Sequence, residues 1–249
     1  MYENGVGKGY KILSNYLQER NINNFKQHPD INYAIEHDNE AMIKYAIIWF
    51  DLILKNHNIE LKEIIRLIEL NDNTGNPKKV FVHKNLPLCN SNSIKYLYFG
   101  LLNIKYILDN HIEINNFIEI GGGYGGQCLI LLELFRLYNI KINKYILIDL
   151  PEVVKFQEKY LSVHKKEEKC IFLSFDHFYS YNFGNDNFLF SCYCFGEISK
   201  DIRKKYYDKL FNYINKGFII WNINPVDLPR KYFSFEEYPQ TGNNKFIYF

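Results

Sequence analysis

Two hydrophobic periods divide this chain. Between Asn39 and Leu54 the apolar residues Ala41, Ile43, Tyr45, Ile47, Ile48, Phe50, Ile53 and Leu54 come too densely for strand alternation and predict a mostly buried helix. Leu61, Ile64, Ile65, Leu67 and Ile68 recur at helical spacing with Lys62, Glu63, Arg66 and Glu69 between them. The run from Asn71 to Pro77 ends that second helix in a loop. A shorter apolar-patterned segment covers Lys11 to Leu17. Residues 1–85 therefore predict a helical cap in front of the domain that follows, or a dimerisation arm; one surface can be both.

From residue 86 the period changes. Residues 78–93 read as a polar linker, and Ser91 or Ser93 is placed to cap a helix over Ile94 to Leu108. Phe117 to Ile120 reads as a buried strand, followed by a turn dense in glycine (Gly121, Gly122, Gly123, Gly125, Gly126) and a helix from Cys128 to Tyr138. Strands are predicted at Lys144–Asp149, Cys170–Phe175, Phe188–Cys192 and Gly217–Trp221. Helices are predicted at Glu152–Leu161, with Pro151 at its first position, and at Lys200–Asn215. Strands alternating with helices predict a parallel sheet. The tail from Tyr232 to Phe249 turns at Thr241-Gly242-Asn243-Asn244 and reads as a hairpin at the sheet edge. An antiparallel last strand completes a mostly parallel, seven-stranded, Rossmann-like α/β domain over residues 86–249.

Composition adds bounds. The chain has 249 residues, 47% hydrophobic and 23% charged, which suits a globular domain with an appendage. A net charge of +2 is too small to argue for a nucleic-acid partner. Five cysteines, an odd number, point to a reduced, cytoplasmic setting. Met1 to Tyr10 is polar and glycine-containing, which predicts neither a secretory signal nor a membrane anchor there, and no apolar run reaches the ~20 residues of a spanning helix.

The chemistry gathers at the strand ends. Strand, glycine turn and helix build a nucleotide crevice: glycine lets the backbone approach a ligand, and the helix N-terminus presents free N–H groups. Asp149 closes the second strand, where a carboxylate can accept hydrogen bonds from both hydroxyls of a ribose. Asp176 and His177 follow the third strand, Glu197 the fourth and Asn222 the fifth. No Gly-Lys-Ser or Gly-Lys-Thr follows the glycines, no Gly-x-Ser-x-Gly elbow is present, and Cys192-x-Cys194 lacks a second pair at zinc spacing. Convergence of Asp176, His177 and Glu197 would allow a divalent metal to assist.

Glu119 separates the crevice from a dinucleotide site, where an acid two residues before the first glycine would oppose the pyrophosphate. The order strand-Glu-x-Gly-x-Gly-x-Gly, then a strand ending in Asp, then a strand followed by Asp, resembles the class I S-adenosylmethionine-dependent methyltransferases. Glu119 to Gly126 resembles the glycine motif of the sugar O-methyltransferase family, and Ile148-Asp149-Leu150-Pro151-Glu152, with Gln157, Tyr160 and Leu161 behind it, resembles that family's second motif. Phe188 to Ile198 is similar to a third, although Ser191-Cys192-Tyr193-Cys194 stands where Asn and Ser residues are expected. The resemblance covers residues 90–225.

The resemblance implies S-adenosylmethionine as cofactor, held by Glu119, Gly121, Gly122, Gly123, Tyr124, Gly125, Gln127, Asp149, Leu150, Asp176 and Ser191. It implies a sugar or glycan acceptor and a hydroxyl nucleophile assisted by a general base. Glu197 is the first choice of base, His177 the second, and Asn222 orients the hydroxyl. Placement of Asp176 or His177 near adenine in that family argues against His177 as base. A nucleic-acid methyltransferase using Lys165, Lys166, Lys169, Lys200, Arg203, Lys204 and Lys205 as a basic face, and a non-catalytic module that retains the fold, are the competing readings.

Overall fold

A computed structural model describes residues 12, 13, 16, 22–36 and 39–249. The expectation for Met1 to Tyr10 lies outside the described residues, and the segment from Lys11 to Leu17 is described only at Ile12, Leu13 and Tyr16.

Short runs rich in Ile, Leu, Phe and Tyr form the strands, as their β propensity and flanking turn residues dictate. They are β1 (Asn116–Ile120), β2 (Lys144–Asp149), β3 (Cys170–Ser174), β4 (Asn187–Cys192), β5 (Ile214–Trp221), β6 (Phe233–Glu236) and β7 (Lys245–Tyr248). They make one seven-stranded sheet in the order β3-β2-β1-β4-β5-β7-β6. The first five strands are mutually parallel, and β7 runs antiparallel to both β5 and β6. This is a Rossmann-like α/β sheet. Its strand order reverses between β1 and β4, the switch point at which such sheets open a crevice.

Alternate residues of the inner strands enter two separate cores. Phe117, Tyr145, Leu147, Phe188, Phe190, Phe218 and Ile220 face one layer, while Ile118, Ile120, Ile146, Ile148, Leu189, Ile219 and Trp221 face the other. Among the described residues six longer helices pack with the sheet: α1 (Glu40–Asn56), α2 (Leu61–Asp72), α3 (Ser91–Asp109), α4 (Gly126–Leu137), α5 (Pro151–Val163) and α6 (Lys200–Leu210). The N-terminal region shares the first core with the sheet. Phe25, Trp49 and Phe50 belong to the same continuous cluster as Phe117 and Tyr145. Trp49 stacks on Tyr98 at 6.3 Å and meets Phe99 edge-on at 5.7 Å. Replacing fully buried Trp49 with Ala is expected to cost about 3–5 kcal/mol, a fall in Tm of order 10 °C by circular dichroism. A fall of only a degree or two would mean that α1 is peripheral to the core.

Three expectations are corrected. Asn90, not Ser91 or Ser93, caps α3, its side chain accepting from Asn92 N–H at 2.8 Å. Ser93 lies inside the first turn, where it accepts from Asn71 and donates to Asp72. The stretch 78–93 is only partly a polar linker: Val82, Leu86 and Cys89 are buried, and Val80 bridges Cys89. The helix expected over Lys200–Asn215 stops at Leu210, because Arg230 takes the Phe211 and Ile214 carbonyls at 2.6 and 2.8 Å and Ile214 begins β5.

A buried polar cluster ties this N-terminal region to the crevice. Lys26 Nζ donates to the Asn71 carbonyl at 2.7 Å and sits 4.7 Å over the Tyr124 ring. The Asn71 side chain accepts from Tyr160 at 2.8 Å and from Tyr124 at 3.2 Å. Asp72 accepts from Asn90 N–H at 2.8 Å, and burial holds its pKa above the usual carboxylate range.

Candidate functional site

β1 delivers the chain to the switch point, and the turn into α4 is too tight for ordinary residues. Gly121 has φ +76°, and a Cβ there would lie 2.2 Å from the Cys194 sulfur. Its N–H donates to the Ile148 carbonyl at 3.1 Å, which pins the turn to β2. Gly125, at φ +101°, is the N-cap of α4 and offers no side chain to its first N–H groups. Gly121 and Gly123 keep partial exposure in this turn, while Gly122, Gly125 and Gly126 are buried.

Two acids flank it. Glu119 is fully buried, and its Oε2 accepts from Tyr145 at 2.7 Å. Its Oε1 has no protein partner, and burial pushes its pKa up to about 8. Asp149 ends β2 half-buried. Its Oδ1 accepts from Leu150 N–H at 2.9 Å and its Oδ2 from Gln157 Nε2 at 3.1 Å. Burial outweighs these donors and pushes the Asp149 pKa up to about 7. A slot opens beside it, lined by Ile120, Gly121, Ile148, Asp149, Leu150, Phe175, Cys194, Ile198, Ile202 and Tyr206. Its walls are mostly apolar and its rim carries one carboxylate. The Asp149 carboxylate on that rim can accept hydrogen bonds from ligand hydroxyls.

Glu197 follows β4 and Asn222 follows β5, and the structure brings them together. Asn222 Nδ2 donates to Glu197 Oε1 at 2.6 Å. Gly196 permits this approach, since a Cβ there would lie 2.2 Å from the Asn222 carbonyl oxygen. Asn224 in turn donates to the Gly196 carbonyl at 2.5 Å. Glu197 opens to solvent, yet the protein atoms packed around its carboxyl raise its pKa, with the Asn222 bond working against them. The loops here are held in unusual backbone: Tyr193 has φ +57° and the β-branched Ile223 φ +61°, which is costly and typical of functional loops.

His177 stands apart. Its Nδ1 shares a hydrogen bond with Ser174 Oγ at 2.7 Å, and both it and Asp176 are exposed. They follow β3, three strand positions from β4, or about 14 Å between the strand ends. Among the described residues no three His, Cys, Asp or Glu side chains are grouped to hold a metal ion, so Asp176, His177 and Glu197 do not converge.

Other named residues have side chains engaged within the protein. The Tyr124 side chain points into the N-terminal region, bonded to Asn71. Gln127 is buried and donates to the Tyr96 carbonyl at 2.9 Å. Ser191 Oγ donates to the Ile120 carbonyl at 2.9 Å and accepts from Phe195 N–H at 3.2 Å, which ties β4 to the end of β1. Gly122 is held bare by Leu147 and Glu119, and Gly123 faces Ile35 of the N-terminal region. Sequence reading missed Phe175, Ile202 and Tyr206 as walls of the slot. The spacing of Ile202 and Tyr206, one helical turn apart, marks a shared face of α6, but nothing in the pattern aims that face at Asp149.

Comparison with known proteins gives a loose likeness. No family model and no curated sequence matches the chain. Among solved structures it is similar to the mitomycin 7-O-methyltransferase MmcR, with 11% identity, TM-score 0.46, and 97% of this chain covering 67% of that one. It is similar to an S-adenosylmethionine-dependent methyltransferase from Clostridium acetobutylicum, with 15% identity, TM-score 0.40, and 58% of each chain covered. It is also similar to PKMT2 from Rickettsia typhi in complex with AdoHcy, with 18% identity, TM-score 0.36, and 46% of this chain covering 22% of that one. The chain thus spans less than two thirds of the latter two. The fold assignment rests on the sheet order and register above. No helix among the described residues is long and apolar enough to cross a membrane.

Proposed function

We propose that the chain is an S-adenosylmethionine-dependent O-methyltransferase whose acceptor is a sugar hydroxyl. The observation that carries this reading is the Glu197–Asn222 pair, set across the ends of β4 and β5 on the same rim as the glycine turn. The acid-rimmed slot supports the cofactor assignment, with Asp149 on the ribose, Phe175 and Ile198 against the adenine, and the glycine turn along the methionine portion. The sugar acceptor is supported by the motif resemblance at Glu119 to Gly126 and Ile148 to Glu152.

Bound there, the cofactor supplies a sulfonium methyl group open to in-line displacement by an oxygen nucleophile. Glu197 receives the hydroxyl proton as the oxygen bonds to carbon. Its raised pKa makes it the stronger base for this task. Asn222 fixes one carboxylate oxygen and so orients the other toward the acceptor.

Titration with S-adenosylmethionine and S-adenosylhomocysteine, read as a rise in Tm, tests the cofactor. Methyl transfer from labelled cofactor to a panel of nucleotide-sugars and glycans then tests the acceptor. Stabilisation by both ligands, with label in a sugar, is the expected result. No stabilisation at millimolar ligand would overturn the enzyme reading, and label appearing only in RNA would replace the acceptor.

A further inference from the structure

Gln157 is a fully buried amide on α5 that neither the glycine turn nor the base pair accounts for. Its Nε2 donates in two directions, to the Gly123 carbonyl at 2.9 Å and to Asp149 Oδ2 at 3.1 Å. Those two acceptors fix which way the amide faces, since an oxygen in that place would oppose both of them. Its Oε1 is left without a hydrogen-bond partner. An orphaned buried carbonyl is destabilising, and an apolar side chain of equal length would avoid it. The turn beside the amide is closely packed: a Cβ on Gly122 would stand 2.7 Å from Leu147 Cδ2, 3.2 Å from Glu119 Oε2 and 3.3 Å from Gln157 Nε2. The second glycine, the buried acid of β1 and the amide of α5 therefore fit together, with the carboxylate of β2 on the amide's other side.

We propose that Gln157 is a positioning residue for the cofactor: one amide, bonded to both the Asp149 carboxylate and the Gly123 carbonyl, locks the ribose-binding acid and the glycine turn into a single geometry. This rests on the cofactor reading given above. With Oδ1 held by Leu150 and Oδ2 by Gln157, the carboxylate is held against rotation, and its remaining lone pairs keep one direction. Gln157 is also a neutral donor where acids crowd. Glu119 of β1, Glu152 of α5 and the Cys194 thiol from the loop after β4 all interact with Asp149, and each favours its protonated form or is itself disfavoured by its charge. The amide opposes them and favours the carboxylate, the form that accepts from ribose hydroxyls.

The test is the affinity for S-adenosylhomocysteine by calorimetry between pH 5.5 and 9, for the unaltered chain, Gln157→Met, Gln157→Glu and Asp149→Ala. Circular dichroism checks the fold of each. In the unaltered chain affinity rises with pH and levels off above neutrality. Gln157→Met is expected to bind about tenfold more weakly at pH 8, with the rise displaced to higher pH. Gln157→Glu reverses the slope. While protonated its single O–H can donate to Asp149, and once ionised it sets two carboxylates side by side, so affinity falls as pH rises. A merely structural role would lower affinity without moving the midpoint or the sign. The proposal is overturned if Gln157→Met keeps the wild-type midpoint and Gln157→Glu the wild-type slope, while Asp149→Ala still abolishes binding. If the unaltered chain binds at no pH, the cofactor reading falls and takes the proposal with it.

Discussion

Asp149→Ala is expected to weaken S-adenosylhomocysteine binding by about 100-fold or more and to remove most of the ligand-induced rise in Tm. A carboxylate taking two ribose hydroxyls makes two charge-assisted hydrogen bonds, each worth about 1.5–3 kcal/mol. The pH dependence has a definite sign. The folded pKa of Asp149 is raised to about 7 from an unfolded value of 3.8, so the folded chain holds a proton that the unfolded chain has lost. This group therefore lowers the stability of the free protein as pH climbs from about 4 to 7. Ligand affinity moves the opposite way, because only the ionised form accepts both hydroxyls. Glu119, raised to about 8, adds to the first trend. Thermal shift against pH, with and without ligand, checks both: the free Tm should fall toward pH 8 while the ligand-induced increment grows and flattens above 7. An increment independent of pH, or unchanged in Asp149→Ala, would place the ribose elsewhere.

Glu197→Gln is expected to lower kcat by about 100- to 10,000-fold while leaving cofactor affinity within a factor of two or three. The amide keeps the shape and can still meet Asn222, but it cannot take a proton. At saturating cofactor the unaltered enzyme should lose rate as pH falls through the raised pKa of Glu197. The variant should show a flat, low profile. Transfer assays at several pH values read both. A variant with the wild-type limb would give the base to another group, such as His177 beyond β3, and Glu197 would then be a helix-flanking carboxylate. Asn222→Ala should fall between the two, since it removes the 2.6 Å bond that orients the base without removing the base.

Much of the fold was legible because its signals are local. The runs Lys144–Asp149 and Phe188–Cys192 are apolar and short, and they became β2 and β4 to within one residue. Pro151 sits at the first turn of α5 as its fixed φ requires. Where local signals compete, tertiary contacts decided. Ser91 and Ser93 are good caps in isolation, but Ser93 is drawn into the buried cluster of Asn71 and Asp72, and Asn90 takes the cap. The Lys200 helix is shortened by Arg230, which is distant in sequence.

The sequence by itself determined the parallel α/β sheet, the glycine turn after β1 and the acid at the end of β2, since each follows from residue types within a few positions of one another. Only the tertiary structure decided which of the strand-end candidates meet. Glu197 and Asn222 are 25 residues apart and touch because β4 and β5 are neighbours; His177 lies nearer to Glu197 in sequence and is separated from it because β3 is at the sheet edge. It also turned Tyr124 and Gln127 inward, and it set Gln157 between Asp149 and Gly123. Side-chain partners of this kind depend on strand order and helix packing, and these are fixed by burial summed over the whole chain rather than by any one stretch of it.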